Sequence, residues 1–278
     1  MSISFIIISF NTKKLLEKCL ESIKNQSRGG EIQGEIIVVD NGSQDGSAQA
    51  IKKLPSKQFA DCGLTVHLIE NKENLGFAKA VNQAIKKAKS DNLLLLNSDT
   101  QLTKNSLQNL LEFEEKVRPA LLGSQLLNPD GSIQPSCFHL STAKRAFLEY
   151  WLGKKGFFSK YYPLGNEPSQ VEAVSGGAML IPKEIIEKIG PFDERYFMYY
   201  EDLDFCRRVR KAGFKIYYLP SSKIIHEHGS SGKKLTSPET QWRRLIPSSK
   251  IYHGLVQHYL ITAIIWSAQK LKKVFRGT

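Results

Sequence analysis

Cysteine is scarce and scattered in this chain: Cys19, Cys62, Cys137 and Cys206, with no C-x-x-C pair. That spacing excludes a zinc knuckle or a disulfide framework and fits a reducing compartment. No apolar run approaches the ~18 residues that suggest a membrane span. The opening MSISFIIISFN lacks the basic start and small-residue cleavage site of a leader, and it reads as a first strand. Internal repeats, low-complexity segments and the G-x-G-x-x-G fingerprint are also missing, so a dinucleotide cofactor is not indicated. Acidic residues run out as well. Beyond Glu239 there is no Asp or Glu, while Arg243, Arg244, Lys250, Lys270, Lys272, Lys273 and Arg276 supply seven of the +12 net charges. A basic end suits a polyanion or an anionic membrane surface.

What is present is ordinary globular material, 41% hydrophobic and 24% charged over 278 residues, enough for one large domain with an appendage. The first half alternates strand and helix. ISFIIISF, EIIVVD, TVHLIE and LLLLN are apolar strand runs. Between them Leu15, Leu16, Cys19, Leu20 and Ile23, then DGSAQAIKKL with Asp45 or Ser47 as cap, then FAKAVNQAIKKAK fall at helical spacing. NSLQNLLEF begins a further helix. Such alternation predicts βαβ units and an α/β fold, a mostly parallel sheet with helices on both faces. After the turn signal NPDG (128–131) residues 138–170 carry no readable period. VSGGAMLI, KIYYLP and KIIHEHG read as strands, PKEIIEKIG and EDLDFCRRVRKAG as helices, and the last stretch as a helical appendage. The expected division is 1–235 as one domain, in halves 1–127 and 128–235, and 236–278 as a basic amphipathic tail.

Several residues point to chemistry. LLLLNSDT ends a buried strand in Asn97, Ser98 and Asp99, and EIIVVDNG ends another in Asp40 and Asn41. Each is good turn sequence, yet two acids closing parallel strands lie along one sheet edge, where open α/β sheets bind ligands. Gly76 opens a helix where backbone can approach a phosphate, with Lys79 one turn in. In FMYYEDLDFCRRVRKAG three acids crowd a helix start behind an aromatic stretch expected to be buried. Adjacent helix positions diverge by ~100°, so Glu201 and Asp202 cannot point the same way, while Asp204 can pair with Arg207 or Arg208. His226 and His228 share one face of a strand, a spacing compatible with metal.

Taken in order, IIISFN, EIIVVDNGSQDGS, ENLGFAKAVNQAI, LLLLNSDT, VSGGAMLI, IGPFDERYFMYYEDLDFCRRVRKAGFKIYYLP and IIHEHG resemble the inverting family 2 glycosyltransferases of GT-A fold, especially the rhamnosyltransferase-like branch. The resemblance implies that Asp99 is the acid of a D-x-D-type motif holding Mg²⁺ or Mn²⁺ on a donor diphosphate, with Asn97 where many relatives carry aspartate. It implies a nucleobase site at Asp40 with Ser9 and Asn11, a diphosphate and sugar wall including Gly76 and Lys79, and close sugar approach at Gly176 and Gly177. Asp202 takes the place of the general base, Glu201 is the second catalytic acid beside it, placed to orient Asp202 or touch the acceptor, and His226 completes the metal or diphosphate site.

The implied reaction joins a sugar from a dTDP- or UDP-sugar to a saccharide or polyprenyl-linked acceptor. Gln241-Trp242-Arg243-Arg244-Leu245 departs from the Q-x-x-R-W of processive members, and with no membrane span, single addition is expected. A sugar-1-phosphate nucleotidyltransferase is the enzymatic rival, but SFNTKKLLEK lacks the glycine-rich loop that reaction needs. A non-enzymatic membrane or nucleic-acid binder is the other rival. The charge lies largely in the tail rather than over the body, which favours a membrane surface over nucleic acid and competes with a homodimer contact. The expected location is cytoplasmic, peripheral on the inner face of the cell membrane.

Overall fold

The computed structural model describes residues 2–27, 32–227 and 242–276. The first half alternates as the apolar spacing predicts: β1 (Ser2–Ser9), α1 (Lys13–Gln26), β2 (Gln33–Asp40), α2 (Ser47–Lys52), α3 (Ser56–Ala60), β3 (Leu64–Glu70), α4 (Phe77–Lys87), β4 (Asn92–Asn97), β5 (Thr100–Leu102), α5 (Ser106–Val117) and β6 (Ala120–Leu127). The second half has shorter pieces: β7 (Ile133–Gln134), β8 (Cys137–Phe138), α6 (Ala143–Tyr150), β9 (Ser169–Gln170), β10 (Ala173–Val174), β11 (Ala178–Pro182), α7 (Lys183–Ile189), α8 (Glu201–Lys211), β12 (Lys215–His226) and α9 (Trp242–Arg276).

One ten-stranded sheet runs through both halves in the order β3-β2-β1-β4-β11-β6-β12-β5, with β7 beside β6 and β9 beside β12. β1, β2, β3 and β4 are parallel, and β11 runs antiparallel to both β4 and β6. The leucine run explains the two layers. Leu93 and Leu95 face one core with Ala80 and Val81 of α4 and Phe205 of α8. Leu94 and Leu96 face the other, with Leu16 of α1 and Leu107 and Leu110 of α5. Each buried leucine contributes about 1.5–3 kcal/mol, and a one-residue slip would exchange the two sets. Register is therefore firm, and the ends of the strands are held in place.

Two strand assignments change. VSGGAMLI is not continuous: Ser175, Gly176 and Gly177 interrupt it between β10 and β11, which belong to different sheets. KIYYLP and KIIHEHG are one strand, β12, whose register against β6 shifts between Leu219 and Lys223. His226 is then paired with Thr100 of β5. His228 and Gln241 lie outside the described residues.

The appendage does not stand apart. Ser248 Oγ donates to the Met198 carbonyl at 2.8 Å, and Arg207 Nη1 to the Tyr252 carbonyl at 3.1 Å. The Arg207 guanidinium also lies 4.1 Å from the Tyr252 ring centre. α9 breaks at Gly254, where φ is +73°. Beyond the break Trp151 Nε1 donates to the Ile264 carbonyl at 3.2 Å, joining the second segment to the end of α6.

Candidate functional site

The carboxyl edge of β1, β2 and β4 gathers polar side chains that a core alone would not require. Asp40, at the end of β2, is buried; its Oδ2 accepts from the Ser43 amide at 3.0 Å, and its Oδ1 has no hydrogen-bond partner in the protein. Three neighbouring candidates, Ser9, Asn41 and Asn11, are committed to structure. Ser9 Oγ, Thr12 Oγ1 and Ser98 Oγ form a buried hydroxyl chain, at 3.0 and 2.8 Å, tying β1, α1 and β4 together. Asn41 donates to Asn74 Oδ1 and the Gly76 carbonyl and accepts from Asn71 Nδ2 and the Leu75 amide. Its amide is fully used in holding the 71–76 loop, so it acts as a brace. Asn11, at φ +55°, clamps the neighbouring loop: its amide donates to Ser43 Oγ and its Oδ1 accepts from the Gln44 amide.

Asp99 is buried in the turn between β4 and β5, and the Glu227 amide donates to its carbonyl at 2.9 Å. Its Oδ1 lies 3.3 Å from His226 Nε2 yet makes no hydrogen bond. Gln134 explains the imidazole. Gln134 Nε2 donates to Asn128 Oδ1, leaving its Oε1 to accept from His226 Nδ1 at 2.6 Å. In the neutral imidazole the proton therefore sits on Nδ1 and Nε2 is an acceptor, 3.2 Å from Asn97 Nδ2. An acceptor nitrogen and a carboxylate oxygen thus face each other in a buried place, a conflict that a cation relieves. Oxygen and imidazole donors of this kind fit a divalent ion such as Mn²⁺ or Mg²⁺. Among the described residues no group of three or more His, Cys, Asp or Glu converges on one point. Gly177 lies against this pair, a Cβ there meeting Asn97 Nδ2 and His226 Cε1 at 3.7 Å.

Across from it stands the start of α8. The two preceding tyrosines, Tyr199 and Tyr200, both have left-handed φ, +69° and +68°. Such backbone persists only where the surroundings hold it. Tyr252 and His253 of α9 do so, packing on the Tyr200 ring at centroid distances of 5.2 and 5.6 Å. The FMYY stretch is consequently not a buried wall: Phe197 is exposed and Tyr199 and Tyr200 are half-buried, Tyr200 against the appendage. Glu201 is buried, with Oε2 unpartnered. Burial, then the charge of Asp202, push its carboxyl up to about 8. Asp202 is half-buried; its Oδ2 accepts from the Gly176 amide at 3.2 Å and its Oδ1 from the Leu203 amide at 2.8 Å. Gly176 packs against Asp202 Cβ, so the interruption before β11 is what brings this carboxylate to the end of β4. Asp204 pairs with Arg207 at 2.6 Å and Arg208 at 3.0 Å, a structural acid as its spacing predicts.

Gly76 is not an open phosphate cradle. Its φ is +88°, a Cβ there would lie 2.7 Å from the Phe197 carbonyl, and the Phe77 amide already donates to that carbonyl. The helix start is joined to the segment that leads into α8, and Lys79 is exposed on its first turn. Sequence reasoning missed Gln134, Thr12, Asn74 and Phe197, which act through other residues. The asparagine-rich ENKENLGFAKAVNQ was a signal for the loop brace, whereas Gln134 sits in a two-residue strand with none.

Known proteins resemble this chain in sequence and in fold. The chain resembles the N-acetylglucosaminyl-diphospho-decaprenol L-rhamnosyltransferase of Mycobacterium tuberculosis, 29% identical over 245 residues covering 81% of this chain and 76% of that protein. It resembles the rhamnosyltransferase WbbL of Escherichia coli K12 at 24% identity, over 85% and 88% of the two chains. In fold it matches S. aureus TarS 1–349 in complex with UDP-GlcNAc, with a TM-score of 0.59 and 18% identity over 95% and 70% of the chains. The mannosyltransferase PcManGT from Pyrobaculum calidifontis, in complex with GDP-Man and Mn²⁺, gives 0.59 at 18% over 92% and 62%. The fold is thus GT-A. The profile described as "Glycosyl transferase family 2" matches residues 4–190, which take in Asp40, Asp99 and the Gly176–Gly177 turn, and the chain belongs to that family.

Proposed function

We propose that this glycosyltransferase transfers one sugar, rhamnose or a hexose, with inversion from a dTDP- or UDP-sugar to a saccharide or polyprenyl-linked acceptor in bacterial surface polysaccharide synthesis. The observation that carries this reading is that buried carboxylate oxygens without protein partners stand at the ends of β2 and β4, on Asp40 and Asp99, while the Gly176 amide just before β11 holds Asp202. The relatives' names support the sugar and the lipid carrier, one being a rhamnosyltransferase named for a diphospho-decaprenol acceptor. The nucleotide-sugar half is 1–127 and the acceptor half 128–235. The enzyme works in the cytoplasm, peripheral on the inner face of the membrane.

In this reading Asp40 receives the base and ribose end of the donor, in the loop frame made by Asn11, Ser43 and Asn41. Ser9 and Ser98 hold the two strand ends in register beneath it. Asp99 and His226 would hold the divalent ion, Mg²⁺ or Mn²⁺, with the donor diphosphate providing further oxygens. When bound, the ion supplies positive charge against that developing on the leaving diphosphate. Gly176 and Gly177 leave room for the sugar, and Lys79 contributes positive potential nearby. Asp202, fixed by the Gly176 and Leu203 amides, takes the proton of the acceptor hydroxyl as that oxygen attacks the anomeric carbon from the side opposite the diphosphate. A single displacement inverts the centre.

The test is nucleotide release from a panel of dTDP-, UDP- and GDP-sugars, with and without a polyprenyl-diphosphate saccharide, followed by determination of the product's anomeric configuration. Release that depends on both a sugar nucleotide and the acceptor supports the reading. A retained configuration would rule out the one-step role of Asp202.

A further inference from the structure

From Ile251 to Gln269 the chain has nineteen residues without Asp, Glu, Lys or Arg. After Gly254 these form the second segment of α9, whose inner face buries His258, Ile261 and Ala268 against the body. The outward face is apolar too. Leu255 is 61% exposed, Val256 86%, Leu260 52% and Trp266 61%. The end of α6 continues this surface, since Trp151 is hydrogen-bonded to Ile264 and the next residue, Leu152, is exposed. A helix apolar on all sides needs a cover on all sides. Among the described residues no helix is long and apolar enough to cross a membrane.

Charge decides what the cover is. Lys250 lies over the Tyr259 ring and Lys270 over the Trp266 ring, at 5.3 and 4.9 Å, so cations rim the exposed aromatics. Lys154 and Lys155 follow Leu152 on the adjoining loop. The nearby acid Glu149 is turned inward, accepting from the Phe158 and Ser159 amides. A second copy of the chain would bring the same cations and, beyond Glu239, no acid to meet them. An anionic lipid surface meets both the apolar face and its basic rim.

We propose that the outer face of α9 beyond Gly254 and the adjoining 151–155 loop form one docking surface for an anionic bilayer. The loop is as much part of it as the helix. Tyr252 and His253, just before the break, pack on Tyr200 beside Glu201, so docking sets the acceptor side of the cleft at the lipid headgroups. That consequence rests on the transferase reading; the docking does not.

The experiment is co-sedimentation of the full chain with vesicles of phosphatidylcholine alone, or of equal parts phosphatidylcholine and phosphatidylglycerol. Binding is expected only to the anionic vesicles and weakens with salt. The double substitution Val256→Glu with Leu260→Glu, and separately Leu152→Glu, are each expected to lower it at least ~10-fold with unchanged melting temperature. Wild-type protein that ignores anionic vesicles, or helix variants that bind as wild type, would overturn the proposal. So would self-association in vesicle-free ultracentrifugation that the helix substitutions abolish, since the cover is then a second copy. Binding of dTDP or UDP with Mn²⁺ is measured separately without lipid. Vesicle binding without nucleotide binding upholds this surface and removes the dTDP or UDP donor from the reading above; the converse removes this surface alone.

Discussion

Glu201 and Asp202 are adjacent in sequence and opposite in environment. Glu201 is buried with its carboxyl pushed up to about 8, so at neutral pH it is protonated, whereas Asp202 is half-buried and accepts two amide hydrogen bonds. Asp202→Asn keeps the shape and removes the basic oxygen. Transfer is expected to fall by at least ~10²-fold while melting temperature and nucleotide affinity stay near normal. Glu201→Gln replaces a neutral carboxyl by a neutral amide of similar size, and turnover at neutral pH should survive within ~10-fold. A dead Glu201→Gln beside a wild-type Asp202→Asn would move the base to Glu201. The pH dependence of stability separates them further. With the folded value raised, the native state holds a proton that the unfolded chain loses above ~4.3. This carboxyl therefore makes stability fall as pH rises from there to about 8, and adds no further slope beyond. The melting advantage of Glu201→Gln over wild type should accordingly be larger at alkaline pH than at acid pH. A gap independent of pH would mean that Glu201 is charged throughout.

Between elements, the decisive contact is that of α4 with the segment leading into α8. Gly76 has φ +88° and ψ 168°, a region open essentially to glycine, and the Phe197 carbonyl occupies the space of its missing side chain. Gly76→Ala should cost about 1–3 kcal/mol in backbone strain. It should also lower turnover, because the displaced segment carries Tyr199, Tyr200 and the acid pair. A variant that loses stability yet transfers sugar at the wild-type rate would show that this contact does not position α8. The sequence revealed Gly76 as special but not the reason. A glycine at a helix entry reads equally as a phosphate cradle or as a close backbone contact, and the partner lies over a hundred residues away. The same limit applies to Asn41 and Ser9. Strand ends were legible because apolar runs stop there, while the division between ligand-facing and brace-forming side chains depends on loops that meet only in three dimensions. Residues 138–170 stayed unreadable because β8, α6 and β9 are short and largely irregular segments join them, so no period could develop.

Over the whole molecule, the proposed donor site draws on the ends of β2, β4 and β12 at once, and the last of these arrives from the far half of the chain. β12 brings His226 beside Asp99 only because its register shifts after Leu219, and the tautomer needed there is fixed by Gln134 from β7. An ion and a nucleotide bound at this junction would link both halves, so their binding should be read in global stability. A ligand at 100 times its dissociation constant adds about 2.7 kcal/mol. dTDP or UDP with Mn²⁺ is expected to raise the melting temperature by several degrees, with little effect from nucleotide in EDTA. Asp99→Ala should abolish the metal-dependent part of that shift. It should not unfold the protein, because the buried Oδ1 that it removes has no hydrogen-bond partner to leave behind. Gln134→Leu is the sharper control. It frees the His226 proton to move to Nε2, which turns that nitrogen into a donor toward Asp99 and satisfies the pair internally. The variant should then keep its fold and lose metal dependence of nucleotide binding, whereas an unchanged Mn²⁺ response would mean that His226 is not a ligand.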